Sequence, residues 1–245
     1  MPASVLHHTI ALLCLSPRPR SNALADMLML GFYFLLHPGE YANTSNPDLT
    51  PFRLQDVHLH RGDSRINHLT CPLPDLQSSS FVCLGFTTQK NGVCSELIGL
   101  GRSGNLAFCP VQACLNCILH LRTYQAPPHT PLYTYFCDDW QAITTTMLTS
   151  EIRSSTAVMG HTVGLSPPDV SVRSLRASGA MALLCANVVT DCIHLLGCWR
   201  SDKTLHYLHV QAYPVVAHLA PAMLQHGQFT LIPNTPVQLP GQVPG

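Results

Sequence analysis

The feature that most constrains this fold is the run from Ala23 to Leu36, which is apolar nearly all round. A helix with no polar face has to be covered on every side, so we predict a buried helix that the rest of the chain surrounds. Ser21 or Asn22 would be its N-cap. His37-Pro38-Gly39 would end it, because the residue before a proline is pushed out of the α region.

Two segments that follow have the alternation of half-buried strands. Apolar and polar residues alternate from Phe52 to His60 and again from Phe81 to Thr88. The tetrapeptide Gln89-Lys90-Asn91-Gly92 indicates a hairpin, since Asn-Gly suits a type I′ turn. Ser95 to Leu100 would be the return strand. The sequence therefore predicts a small antiparallel sheet in the first half of the chain.

The second half is predicted to be helical. Cys109-Pro110 begins one helix that runs to about Tyr124, with the proline in the first turn. Ile143 to Met159 gives a second, and a run of small residues within 172–198 gives a third. The fold class that follows is α+β: a mainly helical domain with a small antiparallel sheet in its first half.

Composition limits the classes of protein to consider. Of 245 residues, 46% are hydrophobic and only 11% are charged, which is typical of a globular chain. The formal net charge is zero, which counts against strong non-specific binding to nucleic acid, although the 14 histidines can add charge at mildly acid pH. The longest apolar stretch, Met27 to Leu36, is far too short to span a membrane.

The cysteines indicate free thiols. There are 11, an odd number without framework spacing, and no charged segment precedes an apolar run at the N-terminus as in a secretory signal. We expect an intracellular protein and leave a nuclear location open. Cys114 and Cys117 form a C-x-x-C with His120 three residues on, but a zinc site needs about four convergent ligands. A thiol- or metal-binding protein is kept as a third hypothesis, and no cofactor or metal is expected.

The richest chemistry lies between Val172 and Tyr213. Arg173 and Arg176 are three residues apart, hence on one face if helical, and Trp199 and Tyr207 follow. Guanidinium groups match phosphate oxygens with a planar fork of donors. A tyrosine can form a covalent enzyme intermediate. These residue types suit the binding and cleavage of a phosphodiester.

Three pieces of this stretch carry a family resemblance: S-L-R-A-S-G-A at 174–180, L-L-G-C-W at 195–199 and S-D-K-T-L-H-Y-L-H at 201–209. Together they resemble the C-terminal half of the catalytic domain of tyrosine recombinases, the phage integrase-like enzymes, and are closest to those of eukaryotic mobile elements. The resemblance extends roughly from Ala23 to Ala217. It implies double-stranded DNA as partner, a homo-oligomer assembled on DNA, and no metal, since guanidiniums supply the positive charge.

The resemblance also implies roles for individual residues. Arg176 would contact the scissile phosphate, and Trp199 would donate its ring N–H to the same group. Lys90 would protonate the leaving oxygen. Tyr207 would attack and form a 3′-phosphotyrosyl link.

Each of these assignments has an alternative. Lys90 could be an ordinary turn lysine, and Arg176 a surface arginine at a helix start. Cys198 could be the aligned residue instead of Trp199, whose indole could also belong to the core. Tyr213 competes with Tyr207.

Two positions depart from the family pattern. The family motif L-R-x-G-E is matched by Leu36-His37-Pro38-Gly39-Glu40, so His37 stands where the first catalytic arginine is expected. Arg173 stands where most members have histidine. It cannot act as a base because arginine does not deprotonate in proteins, but it could still donate hydrogen bonds to the phosphate in the active site. The separate DNA-clamping domain that usually precedes the catalytic domain has no counterpart here, so the chain would be a fragment or a descendant that lost it.

These observations lead to two main hypotheses and a division of the chain. The first is DNA strand cleavage and rejoining, that is site-specific recombination or integration, in degenerate form. The second is a non-catalytic descendant that binds DNA or protein. Residues 1–20 would be a remnant or linker, residues 21–228 the integrase-like catalytic domain, and residues 229–245 a disordered tail rich in proline and glycine.

Overall fold

The computed structural model describes residues 1–16, 18–44, 50–86, 96–197 and 218–228, and it has the predicted α+β fold. The helices are α1 (Ala3–Cys14), α2 (Pro19–Tyr33), α3 (Pro38–Tyr41), α4 (Leu73–Gln77), α5 (Pro110–Thr123), α6 (Thr145–Val163), α7 (Arg173–Cys185), α8 (Thr190–Leu196) and α9 (Leu219–His226). The strands are β1 (Val57–Arg61), β2 (Ser64–Ile66), β3 (Phe81–Phe86), β4 (Glu96–Gly101), β5 (Thr134–Cys137) and β6 (Asp139–Ala142).

Helix α2 is the buried helix predicted from the apolar run. Every residue from Leu24 to Leu36 is buried, and α1, α5, α7 and β5 all pack against the helix. Its predicted bounds were wrong at both ends. It starts at Pro19, since a first-turn proline has a preset φ and lacks only an N–H that would be unpaired there. It stops at Tyr33, ahead of the proline, and Leu35 has a left-handed φ of 52°.

The predicted sheet is present and antiparallel. Its strand order is β2-β1-β3-β4, with Leu59 opposite Val82 and Leu84 opposite Ile98. The predicted strand from Phe52 to His60 is shorter than expected, because Leu54–Asp56 form a 3₁₀ turn before β1. The predicted hairpin loop, including Lys90, lies outside the described residues.

The helices of the second half agree with the prediction in position more than in length. Helix α5 begins with Pro110 at its first position and ends at Thr123, as expected. Helix α6 continues to Val163, four residues beyond the predicted end. It is capped by Thr144, whose Oγ1 accepts the Met147 N–H at 3.2 Å, and it ends at Gly164 in the left-handed region.

Helix α9 returns the chain to the core. Leu219, Ala220 and Met223 are buried, and the helix packs on α7. Just beyond it, the Gly227 carbonyl accepts the Ala3 N–H at 2.7 Å, which ties this end to α1. Among the helices of the described ranges, none is long and apolar enough to cross a membrane.

Candidate functional site around Arg176

Helix α7 approaches the end of α2 so closely that only a small residue fits at the contact. Ser178, Gly179 and Ala182 form part of its buried face. A Cβ atom on Gly179 would lie 2.2 Å from the Phe32 carbonyl oxygen, well inside any real contact distance. The glycine of the S-L-R-A-S-G-A segment therefore sets the distance between the two helices. It lies about one turn beyond Arg176 and brings that arginine to the turn that follows α2.

Arg176 joins two distant parts of the backbone. Its Nη1 donates to the Leu35 carbonyl oxygen at 2.8 Å, and its Nη2 donates to the Gly197 carbonyl oxygen at 2.5 Å. Leu35 and Gly197 are both buried. Hydrogen bonds from a charged donor are stronger than neutral ones, so this guanidinium is held in one orientation by the fold.

The turn next to Arg176 contains a carboxylate with unusual properties. The His37 N–H donates to Glu40 Oε2 at 2.6 Å, and the Glu40 N–H donates to the His37 carbonyl at 2.9 Å. Burial raises the pKa of Glu40 to about 7, although the His37 bond and the charge of Arg176 oppose the rise. Near neutral pH this carboxyl group is therefore divided between its charged and neutral forms.

Tyr41 fixes helix α3 against its neighbours. Its ring lies over Gly31, where a Cβ atom would be only 2.7 Å from the ring carbon Cζ. Its buried hydroxyl donates to the Val172 carbonyl at 3.1 Å, at the start of α7. The same residue thus attaches the Glu40 turn to α2 on one side and to the arginine-bearing helix on the other.

The structure places three of the six predicted site residues. Arg176 lies beside the turn of His37 and Glu40, with the His37 side chain exposed. Arg173 is exposed at the first position of α7, and it lines a groove against α6 in which Arg176 has no part. Lys90, Trp199 and Tyr207 lie outside the described residues, as do the alternatives Cys198 and Tyr213.

The C-x-x-C pair behaves as buried core thiols in α5. Cys114 and Cys117 are buried, and burial raises the pKa of each thiol well above its usual value. The Nε2 atom of His120 accepts the Phe136 N–H at 2.8 Å. Within the described ranges, no three His, Cys, Asp or Glu side chains come together in a way that could hold a metal ion.

The sequence analysis assigns no role to Glu40 or Tyr41. Glu40 was only the last letter of the matched Leu36-to-Glu40 motif, and its proximity to Arg176 depends on a contact across 136 residues of sequence. The signal that could have identified Glu40 is its place in this five-residue motif. If His37 lies at the site, a residue three positions later is expected to lie close to it.

The comparisons with known proteins add no identification. Neither the family models, nor the curated proteins, nor the solved structures contain a match to this chain.

Proposed function

We propose that this chain is a degenerate tyrosine recombinase-like protein that binds double-stranded DNA through the Arg176 site and cleaves it very weakly or not at all at neutral pH. The observation that carries the proposal is the position of Arg176. Its guanidinium binds the carbonyl two residues before His37 and the carbonyl two residues before Trp199. Three segments singled out for one chemistry thus meet at a single side chain.

The site has the charge that a phosphodiester needs. Arginine remains protonated in proteins, so Arg176 supplies a permanent positive charge. The two carbonyl bonds fix the plane of its guanidinium, and preorganised donors cost no reorganisation when charge develops on a phosphate oxygen. Glu40 reduces this charge only in the fraction of molecules in which its carboxyl group is ionised.

His37 is the reason to expect weak cleavage. Histidine is shorter than arginine and offers no bidentate fork, so it cannot reproduce the donors of the guanidinium expected at this position. The loss of one preorganised donor to a developing oxyanion costs about 10² to 10³ in rate. In this proposal, binding to DNA survives and the chemical step is what has decayed.

The test is a covalent-complex assay with nicked duplexes randomised around the nick, scored for a protein–DNA band on a denaturing gel. We expect little or no band from the wild type, a clear increase for His37→Arg, and its loss in His37→Arg/Tyr207→Phe. His129→Arg is the matched control, because it adds an arginine at another exposed histidine. It should leave the band unchanged.

The possible results separate the two main hypotheses. A strong band from the wild type would show an intact recombinase and refute the decay of the site. No band from His37→Arg, together with retained duplex binding, would support the non-catalytic descendant. An absence of duplex binding as well would reject DNA as the partner.

A further inference from the structure

A second basic site lies in the groove between α6 and the start of α7. The groove has a volume of about 700 Å³. Its lining includes six hydroxyl side chains, among them Thr149, Ser150 and Ser171, and two arginines, Arg153 and Arg173. None of the lining residues within the described ranges is acidic. Hydroxyl and guanidinium groups without a carboxylate are a combination that favours an anionic ligand.

Arg153 is an exposed residue whose side chain makes one hydrogen bond to the backbone. Its Nε donates to the Val170 carbonyl at 3.1 Å, and the residue as a whole is exposed. Its two terminal nitrogens donate no hydrogen bond to any residue of the described ranges. One bond to the backbone therefore restricts the side chain and reduces the entropy that it would lose on binding a ligand.

Arg173 faces the same groove from the opposite wall. It is exposed at the first position of α7, whose N-terminus contributes a partial positive charge from the helix dipole. Nearby, Thr149 Oγ1 accepts the Val172 N–H at 3.4 Å, which leaves its own O–H to donate. Two guanidiniums, hydroxyl donors and a helix N-terminus thus surround one open space.

We propose that this groove binds a backbone phosphate group of duplex DNA, at a point separate from the phosphate contacted by Arg176. Arg173 would then act together with Arg153 on a flanking phosphate and would not substitute for a histidine at the scissile one. The choice of duplex DNA as the partner rests on the proposed function. The evidence for the groove is independent of the family resemblance, because Arg173 is the only lining residue at a position of the family motifs.

The test uses the full chain and a fluorescein-labelled 30-base-pair duplex of random sequence, with affinity measured by anisotropy between 50 and 200 mM NaCl. Each neutralised phosphate contributes about 0.9 to the slope of log K against log salt, so loss of the one phosphate bound in the groove should lower the slope by about 0.9. Over this fourfold range of salt, the affinity of the wild type should fall about 3.5-fold more than that of Arg153→Gln/Arg173→Gln.

Two further variants control for charge and folding. Arg20→Gln/Arg65→Gln removes the same amount of charge at exposed positions on other elements and should keep the wild-type slope. Arg153→Lys/Arg173→Lys keeps the charge and should retain most of the slope. Thermal unfolding of each variant verifies that the fold is intact.

The outcomes distinguish this inference from the proposed function. Equal slopes for the wild type and Arg153→Gln/Arg173→Gln, with the duplex still bound, would overturn the groove proposal and leave the Arg176 site untouched. An equal decrease of the slope in the Arg20→Gln/Arg65→Gln control would also overturn the groove proposal, because the effect would then come from net charge. A wild type that binds no duplex would overturn both proposals.

Discussion

Replacement of Glu40 by glutamine should make the protein more stable above neutral pH and change it little in acid. The pKa of Glu40 is raised from 4.5 to about 7 because the carboxyl group is buried. The folded state therefore binds a proton more tightly than the unfolded state. The stability that this proton contributes is fully present below pH 4.5 and is lost as the pH rises through 7.

The size of the effect follows from the gap between the two pKa values. A gap of about 2.5 pH units at 1.36 kcal/mol each gives an upper bound of about 3 kcal/mol. Because Glu40 is partly exposed, solvent screening lowers the expected value to about 1 to 3 kcal/mol. Glutamine retains an oxygen that can accept the His37 N–H, so the turn should keep its shape.

The measurement is urea unfolding of both proteins at pH 5 and at pH 8. Glu40→Gln should exceed the wild type by about 1 to 3 kcal/mol at pH 8 and by much less at pH 5. The same variant should remove any decline in duplex affinity between pH 6 and 8 that comes from ionised Glu40 beside Arg176. A difference in stability that is the same at both pH values would refute the account of a buried, proton-binding carboxyl group.

Further predictions concern the packing and the thiols. Gly179→Ala should lower the free energy of unfolding by about 1 to 3 kcal/mol, because the added methyl group overpacks against the Phe32 carbonyl. Ala177→Ser, on the exposed side of α7, should change it by no more than about 0.5 kcal/mol. Equal destabilisation of the two variants in thermal melts would contradict the close contact. Arg176→Lys should cost about 1 to 3 kcal/mol, because one ammonium cannot replace both carbonyl bonds, and unchanged stability would show that those bonds are dispensable. Iodoacetamide should modify exposed Cys137 and Cys185 in the native protein and should modify Cys114 and Cys117 only after urea unfolds the protein. Peptide mass spectrometry would detect the labelled sites. Labelling of Cys114 and Cys117 in the native protein would contradict their burial.

Much of the fold could be predicted because its signals are local. The apolar run of α2, the alternation in β1 and β3 and the proline at the start of α5 each identify their element without distant information. The ends of α2 were harder to predict. Pro19 occupies a first helical position, which tolerates proline, and the left-handed φ of Leu35 is uncommon in a residue that is not glycine.

The candidate site could be predicted only in part, because its contacts are distant in sequence. The motif spacing brought Arg176 and the His37 turn into the same hypothesis, and the two are neighbours in the structure. It could not show that Arg176 binds Leu35 and Gly197, across 141 and 21 residues. It also could not separate Arg173 from Arg176, because a spacing of three residues on a helix gives only an approximate common face. Most of the residues that line the groove with Arg173 come from α6, and Arg153 of that helix belongs to none of the sequence motifs.

In the proposed function, Arg176 has a phosphate-binding role beside its structural one, and this would explain how a recombinase-like site keeps the arginine and loses its chemistry. The carbonyls of Leu35 and Gly197 are buried, and a buried acceptor without a partner costs about 1 to 3 kcal/mol. Arg176 would therefore be needed for the fold even in a protein that never cleaves DNA. The side chain of His37 is exposed, and its backbone N–H and carbonyl both bond to Glu40 in the turn. In the proposed function, the absence of arginine at position 37 removes a catalytic donor, whereas a change at position 176 would damage both the fold and the phosphate site. The arginine alone is accordingly weak evidence for activity, and position 37 is where the proposed loss of cleavage should be tested.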